Sequence, residues 1–181
     1  MSTEIGSIGA IFISVAPADL TKPARGGFEI TTLHSGVLVA GNGICSTDGR
    51  LDRYFGPDRI KSRGAFPPDK GRQLSIITWD AIERANAIAE SSFTWSETRR
   101  NVVLFGMTAE ELNQLSNQKF SLGGVEIEGT GLCEPCDRPA SLSGKKGFKS
   151  AFTTENGESM GGIRAKILTT GTINVGETVY I

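Results

Sequence analysis

Two thiols and a guanidinium fall within one short stretch, Gly131-Leu132-Cys133-Glu134-Pro135-Cys136-Asp137-Arg138-Pro139, and their types and spacing suit chemistry. The reactive form of a cysteine is its thiolate, a soft nucleophile and metal ligand, and a neighbouring cation such as Arg138 stabilises it. Each proline fixes its own φ and drives the preceding residue toward extended backbone. Glu134-Pro135 and Arg138-Pro139 therefore predict a stiff loop rather than a helix through the thiols. Two cysteines at this spacing also read as a redox pair or as half of a zinc site. A structural zinc takes four protein ligands, and the remaining candidates are Cys45 and the single His34, both far upstream. A thioredoxin-like motif opens a helix at its attacking cysteine within a βαβ unit; the flanking pattern lacks that unit and sets Pro135 between the sulfurs. The competing role for either thiol is a partly buried structural side chain.

Cations recur elsewhere. Arg99 and Arg100 enter the apolar run Val102 to Phe105, and a guanidinium is a planar, bidentate donor matched to phosphate. Asn101 can add an amide contact. Adjacent strand residues point to opposite faces, so one of the two arginines is expected at a ligand and the other in a surface or structural ion pair. Arg164 stands in Gly161-Gly-Ile-Arg-Ala-Lys-Ile-Leu168, where alternation sends Ile163, Ala165 and Ile167 to a core and Arg164 to the other side. His34, Asp48 and Asp52 are weaker candidates, with no visible partner.

In this order and spacing, Glu97-Thr-Arg-Arg-Asn101, the Cys133 to Pro139 loop and the segment from Gly161 to Ile181 resemble the MOSC domain. That module is named for the C-terminal part of molybdenum cofactor sulfurases and occurs also in amidoxime-reducing enzymes and stand-alone bacterial proteins. Upstream, Gly41-Asn-Gly-Ile44 and Asp52-Arg-Tyr-Phe55 look like a spread-out form of the family's glycine-rich Gly-Asp-Arg segment, with Cys45 to Leu51 intervening as a departure.

The resemblance implies a stand-alone bacterial-type member. Cys136, which follows Pro135 as the family's cysteine follows its proline, would ligate molybdenum or carry a persulfide, with Cys133 as an extra thiol. Arg99, Arg100 and Asn101 would hold the phosphate of a molybdenum cofactor (molybdopterin), and Arg138 and Arg164 would complete a positive rim. The implied activity is sulfur delivery to metal centres or, with an electron-transfer protein, reduction of N-hydroxylated compounds. This chain lacks the pyridoxal-phosphate lyase portion of a cysteine desulfurase, so its sulfur is expected from such a donor. A competing expectation is a non-catalytic interaction protein that keeps the barrel and has lost the cofactor.

Composition bounds the rest. The 181 residues carry 19 basic and 20 acidic side chains, a formal charge of -1, which excludes a broad cationic field for nucleic acid or an anionic membrane. Apolar runs such as Gly9 to Val15 fall far short of the roughly 18 residues that span a bilayer. The N-terminus Met1-Ser-Thr-Glu-Ile lacks the basic and apolar regions of a secretory signal, so a cytoplasmic chain with reduced thiols is expected.

The 23 glycines punctuate short β-rich runs, which predicts one domain over 1–181 of mainly β, α+β class: a mostly antiparallel barrel with short helices covering the ends. Expected strands are Ala10 to Val15, Phe28 to Leu33, Gly36 to Val39, Gln73 to Thr78, Asn101 to Phe105, Phe120 to Leu122, Val125 to Glu128, Ile163 to Leu168 and Glu177 to Ile181. Thr78 is expected to cap a helix over Trp79 to Ala89, and Thr108 with Glu111 to form a capping box. Lys145 to Lys149 and Glu155 to Glu158 read as polar loops.

Overall fold

A strand that is apolar at every second residue can bury one face while the other meets a second layer, and this chain closes such strands into a ring. The computed structural model describes residues 2–15, 29–52 and 71–181; Phe28, Arg53 to Phe55 and the side chain of Arg138 lie outside the described residues. The strands are β1 (Glu4–Val15), β2 (Glu29–Leu33), β3 (Ser35–Val39), β4 (Gly43–Ser46), β5 (Leu74–Thr78), β6 (Val102–Phe105), β7 (Lys119–Leu122), β8 (Val125–Leu132), β9 (Ile163–Ile167), β10 (Gly171–Asn174) and β11 (Thr178–Tyr180).

The order β11-β7-β8-β9-β5-β6-β1 closes through β1 and β11 into a seven-stranded barrel, with β2 added outside on β1 and a separate β10-β3-β4 sheet. Among the described strands every pairing is antiparallel except β5 with β6, where Ile76 stands opposite Val102, and one isolated parallel bridge joins Ser116 to Gly129. A parallel pair needs a long crossover. Here that crossover carries helix α1 (Trp79–Ile88) and a 3-10 turn at Ser96–Thr98.

Ile163, Ala165 and Ile167 of β9 join Ile8, Ile11, Ile13, Leu74, Ile76, Val102 and Leu104 in the barrel interior. β1 keeps both Ile8 and Ile11 inward because its register with β6 shifts between Ile8 and Ala10. The small sheet adds Leu38, Ile44 and Ile173 to the same core.

A second core lies on the outside of the wall, where Phe12, Ile77 and Val103 face α1 through Ala81, Ile82 and Ala85. Thr78 starts α1 by accepting from the Ala81 N–H at 3.2 Å. Helix α2 (Ala109–Gln114) begins with the expected capping box between Thr108 and Glu111, and its Leu112 reaches the barrel interior. Helices α3 (Arg138–Ser143) and α4 (Phe148–Ala151) complete the outer layer. The expected loop at Lys145 to Lys149 is half right: Phe148 is fully buried and stacks on Phe152, with ring centroids 4.1 Å apart.

Candidate functional site

The loop between β8 and α3 separates its thiols. Leu132 is the last residue of β8, paired with Ile163. Cys133 continues that ladder by one bond, donating its N–H to the Gly162 carbonyl at 2.7 Å. Its own carbonyl accepts from the Ser159 hydroxyl at 3.3 Å, and the same hydroxyl oxygen accepts from the Gly161 N–H at 3.2 Å. The Cys133 side chain is buried, whereas Cys136, three residues on, is exposed. Pro139 falls at the second position of α3, where a missing N–H costs no helical bond, so the helix begins directly after the loop.

Two glycines allow the close approach that holds Cys133. Gly161 lies so near the Cys133 carbonyl that an added Cβ would overlap it. Gly162 has φ +84° and no room for a Cβ beside the Ile76 carbonyl.

The two arginines stand before β6, not within it. Arg99 ends the 3-10 turn in the left-handed region with φ 58°, an uncommon conformation for a residue with a Cβ. The strand alternation used to separate Arg99 from Arg100 therefore does not govern them. Arg100 donates from Nε to the Gly161 carbonyl at 2.7 Å, so it braces the backbone that in turn braces Cys133.

Asn101 is 7% exposed, and its amide is engaged at both ends. Oδ1 accepts from the Ser75 N–H and hydroxyl at 3.0 and 2.9 Å, while Nδ2 donates to the Phe12 carbonyl and to Asp52 Oδ1 at 3.2 and 3.3 Å. Asp52, buried at 2%, also accepts from the Ser14 N–H at 2.8 Å. Arg164 is half-buried and stands directly opposite Ser75, on the outward face of the wall. Its guanidinium makes no hydrogen bond or ion pair among the described residues.

Helix α3 packs against the 3-10 turn, bringing the start of the arginine segment beside the chain that leaves Cys136. Lys145, just after α3, fastens the two: its Nζ lies 2.6 Å from Glu97 Oε2 and donates to the Ser92 carbonyl at 2.6 Å. Partial burial of Glu97 works against its charge, but the bonds from Lys145 and Thr94 prevail and hold its carboxyl below the usual range.

The fold thus gathers Cys133, Arg100, Asn101 and Arg164 on neighbouring strand ends of one outer wall, with Cys136 exposed on the loop that follows Cys133. It leaves apart the remaining residues considered for zinc. Cys45 is buried in the small sheet, where desolvation pushes its thiol up, and His34 is exposed. Among the described residues no group of three or more His, Cys, Asp or Glu side chains could hold a metal ion.

Sequence reasoning missed Ser159 and Ser75. Each is a lone serine with a partner far away in sequence, Cys133 for Ser159 and Asn101 for Ser75, and nothing local marks it.

The family model for the MOSC domain matches residues 52–180. The chain belongs to the MOSC domain family. That family is associated in general with molybdenum cofactor binding and sulfur transfer. No curated protein sequence matches the chain. Among solved structures, YuaD from Bacillus subtilis aligns with a TM-score of 0.68 at 17% identity, over 99% of this chain and 97% of that one. YiiM from Geobacillus stearothermophilus aligns with a TM-score of 0.62 at 12% identity, over 97% of this chain and 75% of that one. YiiM from Escherichia coli gives 0.56 at 11% identity, over 95% and 69%. At these identities the likeness is one of fold. The MOSC barrel is built here without a helix long and apolar enough to cross a membrane among the described residues.

Proposed function

We propose that this MOSC protein binds a molybdenum-pterin cofactor against the outer wall of its barrel, with the Cys136 thiolate as its protein ligand or as the carrier of a transferable sulfur. The observation that carries this reading is the exposure of Cys136 within the matched family region, on the loop leading into α3, which packs against the arginine-bearing turn, while Cys45 and Cys133 are buried.

The donor set fits such a group. One soft thiolate cannot hold a bare metal ion, but it suits a metal that arrives with sulfur ligands of its own. When bound, the cofactor would supply a redox-active centre with thiolate affinity.

The protein's part is binding and orientation. Arg164, on the outward face with no ion pair among the described residues, is a ready anion contact, and Arg99 and Arg138 lie at the end of the 3-10 turn and the start of α3, which pack against each other. Arg100 and Asn101 act differently in this reading. Their donors already serve the Gly161 carbonyl, Phe12 and Asp52, so they hold the wall to which the anion binds.

As a sulfur carrier, Cys136 would attack the terminal sulfur of a donor's persulfide. The new bond joins Cys136 Sγ to that sulfur, the donor's S–S bond breaks, and the donor leaves as a thiolate. A cysteine desulfurase is a donor of that chemistry, and an electron-transfer protein is the partner if the bound cofactor turns over.

The test is mass spectrometry after incubation with a cysteine desulfurase and cysteine. The reading expects one added sulfur on the peptide holding Cys136 and none in Cys136→Ser; equal addition at Cys133 or Cys45 contradicts it.

A further inference from the structure

Away from the thiol loop, a concavity of about 540 Å³ opens between the end of α1, the start of α2 and the segment from Thr154 to Met160. Its apolar part is Ala87, Ile88 and Met160, and Ile88 is 67% exposed, the most exposed large hydrophobic side chain among the described residues. Glu110, Glu155 and Glu158 form its charged rim with Arg84. That single cation is already engaged, with Arg84 Nη1 2.8 Å from Glu110 Oε1 and 3.3 Å from Asp80 Oδ2.

Helix α1 deepens the negative field. Its last turn holds no basic residue to offset the negative end of its dipole, and Glu90 follows it. Such a field repels nucleic acid and anionic bilayers. A metal ion is also a poor occupant, because no group of three potential ligands gathers among the described residues. An exposed apolar side chain ringed by carboxylates fits a protein surface that presents an apolar residue between lysines or arginines.

The groove is also wired to the thiol loop. Ser159, beside its lining, receives a bond from Asn113 of α2 to its carbonyl at 2.8 Å and gives its hydroxyl to Cys133.

We infer that this acidic groove docks a protein partner through a basic segment carrying one apolar side chain, and that this partner is the sulfur donor of the proposed function. The partner's role rests on that reading; the docking chemistry does not.

The test is titration of the full chain with a fluorescent peptide of one leucine flanked on each side by two lysines, in low salt. Wild type is expected to bind it, with affinity falling as salt rises. Glu155→Lys with Glu158→Lys is expected to weaken binding about a hundredfold, and Ile88→Ser about tenfold, since a central apolar anchor surrounded by charge dominates such contacts. Glu126→Lys with Glu128→Lys, on β8 and outside the groove, should change it less than about twofold by the same logic of local charge. No binding by wild type, an equal effect of the β8 pair, or no effect of Ile88→Ser overturns the inference. So does a wild-type dimer that Ile88→Ser converts to monomer, because a second copy would then be the occupant. Cys136→Ser should bind the peptide as wild type does, so loss of cofactor or persulfide in that variant bears on the proposed function and leaves the docking result intact.

Discussion

Cys133 and Cys136 are three residues apart and live in different physical worlds. The first extends the β8–β9 ladder, with its N–H on Gly162, its carbonyl under the Ser159 hydroxyl and its side chain buried. The second lies past the buried Pro135, exposed on the loop that ends at α3. The difference teaches that a C-x-x-C spacing does not by itself make a dithiol centre. Here the first cysteine anchors the loop and the second is offered to solvent. The anchor is built by backbone proximity, and the offer by the loop's exit from the sheet.

Breaking the anchor should have the largest effect. Gly162→Val forces a Cβ into the Ile76 carbonyl at a φ that valine avoids, so a loss of at least about 3 kcal/mol is expected, read as a lower midpoint in urea. Unchanged stability would mean that the β8–β9 junction is more pliant than described. Next is Asn101→Ala, which strips partners from Ser75, Phe12 and the buried Asp52; about 2 kcal/mol is expected, again by denaturation. Arg100→Met removes the Nε bond to Gly161 and should cost about 1 kcal/mol, while quickening alkylation of Cys133 as its clamp loosens.

The contrast itself can be sharpened by thiol titration of the native protein. One of the three cysteines, Cys136, is exposed and should react quickly, with Cys133 and Cys45 reacting only as the fold opens. In Cys136→Ser the fast phase should vanish. Two fast thiols in wild type would erase the distinction between anchor and offer.

The smallest effect concerns the clasp between α3 and the arginine turn. Glu97 is held below its ordinary value near 4.5, so its contribution is present above that pH and is lost as pH falls through the lower folded value. Glu97→Gln should therefore destabilise by under about 1 kcal/mol at neutral pH and by nothing at low pH, measured as paired thermal melts across that range.

Much of the barrel was legible because its strands alternate cleanly, as Ile163 to Ile167 and Val125 to Glu128 do. The N-terminal half of β1 was not, because Gly6, Ser7 and Gly9 interrupt the apolar period just where the strand bulges. The four-residue strands β4 and β10 were missed for a related reason: each is short and carries too few apolar side chains to show a period. Neither the parallel β5–β6 pair nor the closure of β1 on β11 leaves a local mark, since both depend on contacts far apart in sequence.

At the site, side-chain type singled out segments that the fold brings near one another, but not the hydrogen bonds within them. Side-chain type marked Arg100 and Asn101 as possible ligand contacts, and only the fold reveals their backbone partners on Gly161 and Phe12. Ser159 was invisible for the same reason, its contacts with Cys133 and Asn113 lying on two other segments.

The proposal that the Cys136 thiolate ligates a molybdenum-pterin cofactor is tested most directly by the molybdenum and pterin content of protein purified without oxygen from cells that make the cofactor. Wild type and Cys133→Ser should retain both, and Cys136→Ser should lose molybdenum. Absence of molybdenum and pterin from wild type, under conditions where a known binder keeps them, or full retention by Cys136→Ser, would contradict the account.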